Sequence, residues 1–377
     1  MQEFVVRPSG PLLGAVKLSG AKNSALKLMA CCLLAQGRHT LHEVPEISDV
    51  DTMADVLRAM GVSVARTGSS LSIDVPAEVT TVAPYELVER MRASIVVLGP
   101  LLARYGSARV SLPGGDDFGH RPIDFHLRAL EAMGAEFTTE HGYVEGRCDR
   151  LIGTRIVLEF PSHTTTDNIL MAAVLAKGVT VIENAAREPE VVDLADFLSG
   201  MGARIDGAGT SRIEVEGVDL LTPTEHTTIA DRVEAATFLS AVGVAGGLVS
   251  IEGARLDHMD MLVEKMRAMG LEITPTDQGL TAQRSDRPLA VDVATLPYPG
   301  VATDYKPLVV AVLSIADGVG VVSENLFTGR FRYVDELRRM GADITTQGHH
   351  AVVRGVERLS GARVQATDLR AGAALVL

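Results

Sequence analysis

At 377 residues the chain is long enough for two domains, because a single hydrophobic core stops growing at about 250–300 residues. Apolar residues make up 46% and charged residues 22%, which excludes both a disordered chain and a membrane protein, and with no Trp and 4% aromatics the core is expected to be aliphatic. The formal net charge of −13 argues against a nucleic-acid binder, so an anionic ligand has to be held by a local cluster of Arg and Lys against the global field.

The chain starts without a basic cluster followed by an apolar run, and every later apolar stretch is broken by Gly or charge before about 18 residues. Neither a leader nor a membrane span is expected, and the protein reads as cytosolic. A first apolar helix opens at Gly20-Ala21-Lys22-Asn23 and closes at Leu34-Ala35-Gln36-Gly37. A second helix closes at Leu57-Arg58-Ala59-Met60-Gly61, where the glycine suits a left-handed C-cap.

The same two phrases then return in order. They are Leu102-Ala103-Arg104-Tyr105-Gly106 with Leu130-Glu131-Ala132-Met133-Gly134, and Leu175-Ala176-Lys177-Gly178 with Leu198-Ser199-Gly200-Met201-Gly202. Val244-Ala245-Gly246 with Met266-Arg267-Ala268-Met269-Gly270, and Ile315-Ala316-Asp317-Gly318 with Leu337-Arg338-Arg339-Met340-Gly341, complete the series. The closing glycines lie 73, 68, 68 and 71 residues apart. Each first phrase opens a β-branched run such as Val179-Thr180-Val181-Ile182. Each closing glycine precedes an alternation such as Ala203-Arg204-Ile205-Asp206, a strand with one buried face.

One unit of about seventy residues, reading helix, strand, helix, strand and a further strand, is therefore used repeatedly. Its helices are apolar on most faces and are expected inside a layer. A sixth copy begins at Asp368-Leu369-Arg370-Ala371-Gly372 and stops at Leu377, inside its first helix. The spacing puts its closing glycine near about position 410, so about 40 residues that the repeat demands are expected to be missing. The helix would then leave apolar surface for something else to cover.

Cys31, Cys32 and Cys148 cannot build a disulfide framework, and the adjacent pair lacks metal-ligand spacing, so all three read as buried and inert. There is no Gly-Lys-Ser/Thr phosphate loop, no pair of His at zinc spacing and no Gly-x-Ser-x-Gly elbow. Gly207-Ala208-Gly209 lacks the third glycine of a dinucleotide fingerprint and reads as a hairpin turn. His349 and His350 are adjacent on a strand and so point to opposite faces, and a shared metal is not expected.

Four clusters remain, at helix starts or in glycine-rich loops, where backbone amides suit anions. Lys22 sits at the mouth of the first helix against the helix dipole, which costs a few tenths of a kcal/mol and marks either function or a solvated surface lysine. Arg90-Met91-Arg92-Ala93-Ser94 occupies the equivalent place in the second unit. The run Leu112-Pro113-Gly114-Gly115-Asp116-Asp117-Phe118-Gly119-His120-Arg121-Pro122 can wrap a ligand and deliver Asp116, Asp117 and Arg121, or be an ordinary Asp-rich turn. Ala302-Thr303-Asp304 precedes an apolar helix, and on the motif alone Thr303 or Asp304 is expected to be its N-cap.

Taken together, these residues resemble the UDP-N-acetylglucosamine enolpyruvyl transferases over essentially the whole chain. The carriers are Ser19-Gly20-Ala21-Lys22-Asn23, Met91-Arg92-Ala93-Ser94, Leu112-Pro113-Gly114-Gly115 and Gly119-His120-Arg121-Pro122-Ile123-Asp124. Glu183-Asn184-Ala185-Ala186-Arg187-Glu188-Pro189-Glu190, Thr303-Asp304 and Ala366-Thr367-Asp368-Leu369-Arg370 complete them. The resemblance implies an α/β fold of two inside-out barrels, three units each, with the active site in the cleft between them. One barrel would span 21–228 and the other 1–20 plus 229–377, its third unit incomplete.

The implied reaction moves the enolpyruvyl group of phosphoenolpyruvate onto the sugar 3-hydroxyl of UDP-N-acetylglucosamine by addition and elimination, at the start of peptidoglycan synthesis, without metal or organic cofactor. By resemblance Lys22, Arg92 and Arg121 supply cations to the anionic substrate, Asp116 is the proton donor and Asp304 the base. The loop Arg121, Pro122, Ile123, Asp124 and Phe125 holds the uridine diphosphate end. Asn23, Ser162, Leu326, Arg330, Asp368 and Arg370 join the substrate-binding set. No membrane or nucleic-acid partner is implied.

The chain departs from the family pattern in places. Asp116 stands where most members have a cysteine, which implies activity together with resistance to fosfomycin, an epoxide that alkylates that cysteine. Phe160-Pro161-Ser162-His163-Thr164-Thr165 keeps Ser162 but lacks the small Val-Gly pair set against the nucleotide phosphates. Leu326-Phe327-Thr328-Gly329-Arg330 lacks the usual Glu-Asn before the arginine, and the expected further segment would carry another arginine for phosphoenolpyruvate. Three readings therefore stand: this enzyme, a sister transferase on another nucleotide or on 3-phosphoshikimate, or a non-catalytic paralogue that binds a nucleotide sugar or a partner protein.

Overall fold

A helix whose side chains are apolar all round has to be surrounded, and a strand that alternates has to cover something with one face. The computed structural model, which describes residues 3–89, 91–112, 123–327, 329–366 and 368–377 without the Arg92 side chain, meets both demands in the same way five times. Each repeat forms a four-stranded sheet in which the first strand runs parallel to the second, and the last two form an antiparallel hairpin beside it.

Three of these sheets belong to a compact unit made of 19–112 and 123–229. In the third repeat Arg155–Val157 lies parallel to Val179–Glu183, which pairs antiparallel with Arg212–Glu216, itself paired with Arg204–Asp206. The second repeat repeats the order with Val82–Ala83, Ser107–Ser111, Tyr143–Arg147 and Glu136–Glu140. In the first, Gly37–His42 takes its parallel neighbour from the far end of the unit, the strand Glu225–Thr227.

The first helices of these repeats sit inside. From Ser24 to Cys31 every residue of the Lys22–Cys31 helix is buried, and so is every residue from Thr165 to Ala173 in the His163–Ala173 helix. They share one aliphatic core with the Leu98–Tyr105 helix, which ends on Gly106 in the left-handed conformation at φ 67°.

The second compact unit, 3–18 with 230–377, follows the same rule. Leu12–Lys17 supplies the parallel strand beside Gly247–Glu252, and Val293–Ala294 the one beside Val319–Ser323. All eight residues of the Lys306–Leu313 helix are buried, packed against the Arg232–Ala245 helix and the sixth repeat's opening helix, Leu369–Val376. The closing glycines behave as the sequence implies, with φ between 95° and 105° at Gly61, Gly134, Gly202, Gly270 and Gly341.

Three readings of detail can be settled here. Gly207-Ala208-Gly209 does lie in the turn between Arg204–Asp206 and Arg212–Glu216. Cys31 and Cys32 are fully buried and Cys148, against expectation, only half-buried; burial pushes all three thiols upward in pKa, as expected of inert sulfur. His349 and His350 do not alternate, because His349 sits in the turn before the strand His350–Arg354 and the two ring centroids lie 3.9 Å apart with the planes tilted by 41°.

The hairpins cross the ends of the buried helices at small residues. Gly217 donates to the Gly178 carbonyl at 2.9 Å and Gly355 to the Gly318 carbonyl at 3.1 Å, equivalent points of two repeats. A Cβ at either glycine would run into a backbone carbonyl oxygen, that of Ala176 or Ala316. Gly217→Ala and Gly355→Ala are each expected to lose about 1–3 kcal/mol in thermal or urea unfolding. Gly361→Ala, with open space around its Cβ, should leave the midpoint unchanged.

Candidate functional site

Within the 230–377 unit, the turn before the Lys306–Leu313 helix does not cap it. Thr303 and Asp304 turn their side chains to other partners, and Tyr305 holds the cap position with no side-chain hydrogen bond to the helix. Asp304 Oδ1 accepts from Arg330 Nη1 at 2.8 Å and Oδ2 accepts from Arg370 Nε at 3.1 Å. Burial alone would push this carboxyl up. The charges and hydrogen bonds of Arg370 and Arg330 outweigh it and hold the group well below the usual carboxylate range.

The two arginines are themselves fixed. Arg330, with 3% of its side chain exposed, also donates to Thr303 Oγ1 at 3.1 Å and lies 3.8 Å from Asp368 Oδ2. Asp368 caps the Leu369–Val376 helix through the amides of Arg370 and Ala371 at 2.9 and 2.8 Å, which starts that helix with Arg370 toward Asp304. Four residues scattered over sixty-odd positions of sequence, Asp304, Arg330, Asp368 and Arg370, are thus brought together.

Leu326 joins from behind. Its amide donates at 2.8 Å to Glu324 Oε1, which also accepts from Phe327 N at 3.1 Å and Thr295 Oγ1 at 2.8 Å. Glu324 Oε2 accepts from Thr303 Oγ1 at 2.7 Å and faces Lys306 Nζ at 2.8 Å. The pair is completely buried, and removing one partner of such a pair costs about 3–5 kcal/mol. Burial presses the Lys306 ammonium down to about 8 against the opposing pull of Glu324. Sequence reasoning missed both residues; the available signal was a lysine, followed by proline, opening a helix otherwise wholly apolar.

In the 19–229 unit the expected residues occupy equivalent helix starts. Lys22 is the first residue of its helix and pairs with Asp49 at 2.6 Å, which offsets its unfavourable place at a helix N-terminus. Asn23 follows it, half-buried, and Arg92 opens the 3-10 turn Arg92–Val97. Ser162 occupies the cap position of the His163–Ala173 helix, but its hydroxyl meets Thr165 Oγ1 at 2.9 Å instead of capping. Ile123, Asp124 and Phe125 begin the Asp124–Ala132 helix half-buried, with Asp124 bridged to Arg128 at 3.0 Å. Asp116, Arg121 and Pro122 lie outside the described residues.

A second buried charge cluster in this unit was not anticipated. Lys27, one turn into its helix, lies 3.2 Å from Asp167 Oδ2 and 3.1 Å from His163 Nε2. An ammonium can only donate, so His163 Nε2 is the acceptor and its ring proton belongs on Nδ1. Burial raises the Asp167 carboxyl to about 7, with Lys27 pulling down and Glu188 and Glu190 adding to the rise. His126, also buried, meets Asn168 through Nδ1 at 2.9 Å. Among the described residues no group of three or more His, Cys, Asp or Glu is arranged to hold a metal ion.

The family model described as EPSP synthase (3-phosphoshikimate 1-carboxyvinyltransferase) matches residues 6–377. The chain belongs to this family of carboxyvinyltransferases. It is 50% identical over 382 residues to the UDP-N-acetylglucosamine 1-carboxyvinyltransferase of Anaeromyxobacter sp. (strain Fw109-5), covering 100% of this chain and 90% of that one. The enzyme of that name from Mycobacterium tuberculosis (strain CDC 1551 / Oshkosh) is 48% identical over 376 residues, with the same coverage.

Among solved structures, the enolpyruvyl transferase NikO from Streptomyces tendae superposes with a TM-score of 0.87 at 24% identity, covering 98% of this chain and 89% of that one. An EPSP synthase from Acinetobacter baumannii gives 0.75 at 19% identity, covering 98% and 91%. The fold is that of the enolpyruvyl transferases, as the repeat count and the resemblance implied.

Asp167 gives a pH signature. Its folded pKa lies above its unfolded value of about 3.9, so it contributes stability that is complete below about pH 4 and lost as pH rises through about 7. The melting temperature of Asp167→Asn should therefore gain on the parent between pH 5 and pH 8. A constant difference across that window would show that Asp167 is ionised throughout.

Proposed function

We propose that this chain transfers the enolpyruvyl group of phosphoenolpyruvate to the 3-hydroxyl of UDP-N-acetylglucosamine, the first committed step of peptidoglycan synthesis, in the cytoplasm and without a metal or organic cofactor. The observation that carries this reading is the Asp304 carboxylate, kept ionised between Arg330 and Arg370, in a chain about half identical over its whole length to enzymes named for that reaction. No helix among the described residues is long and apolar enough to cross a membrane.

On this reading the resemblance to the family assigns the parts. Asp116 gives a proton to the methylene carbon of phosphoenolpyruvate while the sugar oxygen bonds to the neighbouring carbon and loses its proton to Asp304. The tetrahedral adduct then loses inorganic phosphate as the carbon–oxygen bond to phosphorus breaks. A proton leaves the new methyl group to restore the double bond. Lys22, Arg92, Arg121, Arg330 and Arg370 supply positive charge for the phosphate and carboxylate, and Asn23, Leu326 and Asp368 belong to the same substrate-binding set. Ile123, Asp124, Phe125, Pro122 and Ser162 form the nucleotide end.

Phosphate release from phosphoenolpyruvate should require UDP-N-acetylglucosamine and not occur with 3-phosphoshikimate; the reverse preference would reassign the acceptor. Asp304→Asn should lower kcat by about 10²–10⁴-fold with binding of the sugar nucleotide preserved in calorimetry, whereas Arg121→Ala should weaken binding of both anionic substrates. A carboxylate is a far weaker carbon nucleophile than a thiolate, so the parent should turn over in the presence of fosfomycin and Asp116→Cys should become sensitive to it. Sensitivity of the parent would remove Asp116 from the donor position.

A further inference from the structure

The Lys306–Glu324 pair is too deep to meet a substrate, and yet two of its hydrogen bonds reach the residues on either side of Asp304, Arg330 and Thr303. Lys306 Nζ donates to the backbone carbonyl of Arg330 and lies 4.0 Å from the centroid of the Phe331 ring. Glu324 takes the only hydroxyl proton of Thr303 at 2.7 Å, which leaves a lone pair of that oxygen aimed at Arg330 Nη1, 3.1 Å away. The main chain of Arg330 is thus tied down by Lys306, and its guanidinium is oriented by Thr303, which Glu324 orients in turn.

Glu324 also gathers the segments that must meet. Its Oε1 accepts from Thr295, after the edge strand Val293–Ala294, and from the amides of Leu326 and Phe327 in the loop leading to Arg330. Its Oε2 accepts from the turn that carries Asp304. One carboxylate with five donors joins an edge strand, a turn and a loop around a single lysine.

We propose that Lys306 and Glu324 are positioning residues for the transfer reaction, holding Arg330 by its carbonyl and through Thr303 so that Asp304 keeps its orientation and its cation. The inference rests on the proposed reaction for its kinetic readout, and on the arrangement of these side chains for a thermodynamic one. Asp304 faces Arg330 from the loop and Arg370 from the Leu369–Val376 helix, while Glu324, Asp368 and Asp231 are the acidic groups around those arginines.

The kinetic test compares Lys306→Met, which keeps the bulk and loses both donations, with Lys306→Gln, which keeps two N–H donors. In the full chain Lys306→Met should lose about 10–100-fold in kcat with KM for both substrates within about twofold. The acid limb of its kcat profile should move to higher pH, because a loosened Arg330 leaves Asp304 a stronger base. Lys306→Gln should recover most of kcat and the parent profile. An unmoved profile, or a kcat that falls only in step with the folded fraction, would overturn the proposal.

The second test needs no turnover. In a double-mutant cycle of melting temperatures, Lys306→Met and Asp304→Asn should fall short of additivity by about 2 °C or more, because the two share Arg330. Additive shifts would show that Lys306 acts only where it stands. A parent that fails to turn over phosphoenolpyruvate with any acceptor would count against the proposed reaction alone, leaving the cycle to decide for or against the positioning role.

Discussion

A helix with no face toward solvent must find a partner for every polar side chain it carries, and this fold places such helices at the centre of three repeats. In the Lys22–Cys31, His163–Ala173 and Lys306–Leu313 helices the polar side chains gather toward the N-terminal end and in the turns that lead into them, with Lys27, Asp167 and Asn168 the furthest along. The surrounding sheets need only one apolar face each, which the alternating strands supply. The concentration of candidate functional residues at helix mouths is therefore a consequence of burial. Within the 230–377 unit it puts Thr303, Asp304 and Lys306 within hydrogen-bond reach of residues delivered from a later loop and from a further helix start.

The two units solve the same problem differently. Beside the Lys306–Leu313 helix, the buried lysine meets a carboxylate whose remaining lone pairs are all engaged, and Glu324 stays ionised below its ordinary value despite burial. Beside the Lys22–Cys31 helix, Lys27 faces Asp167 together with His163, and further acidic groups push Asp167 the other way, to about 7. Geometry separates the outcomes more than depth does. Five donors converge on Glu324, whereas Asp167 is offered a single ammonium at 3.2 Å.

Much of this organisation was readable from the sequence because repeats are periodic and glycines at helix ends have one conformational reason to be there. The phrase ending in Gly61, Gly134, Gly202, Gly270 and Gly341 located every second helix, and the apolar runs located the buried ones. Asp304, Arg330 and Arg370 are each named in the sequence by resemblance, but their pairing is not legible there, since nothing local to Asp304 says that Arg330 and Arg370 reach it from twenty-six and sixty-six positions away. The Lys27 and Lys306 clusters escaped for the same reason. A lone lysine in an apolar run says that a partner must exist, while its identity depends on which strand lies next to which helix. The His349–His350 argument failed at a boundary, where one residue of turn cancels the alternation that a strand imposes.

Asp304 as it stands is a poor base, because two guanidinium groups stabilise its charged form. On the proposed reaction it must accept a proton from a sugar hydroxyl, so something has to draw positive charge away from it first. The two arginines are not equally placed for that. Arg330 is 3% exposed and fastened to Thr303 and, through its carbonyl, to Lys306, whereas Arg370 is 16% exposed and holds Asp304 by one bond at 3.1 Å. On that proposed reaction an arriving phosphate or carboxylate would compete for Arg370 and leave Arg330 where it is. Loss of one cation raises a carboxylate pKa by about 1–3, enough to strengthen the base while the remaining guanidinium keeps it aimed. On the proposed reaction, binding of the anionic substrate and activation of the base would be the same event, with Arg330 anchored by the buried lysine and glutamate behind it and Arg370 the one to let go.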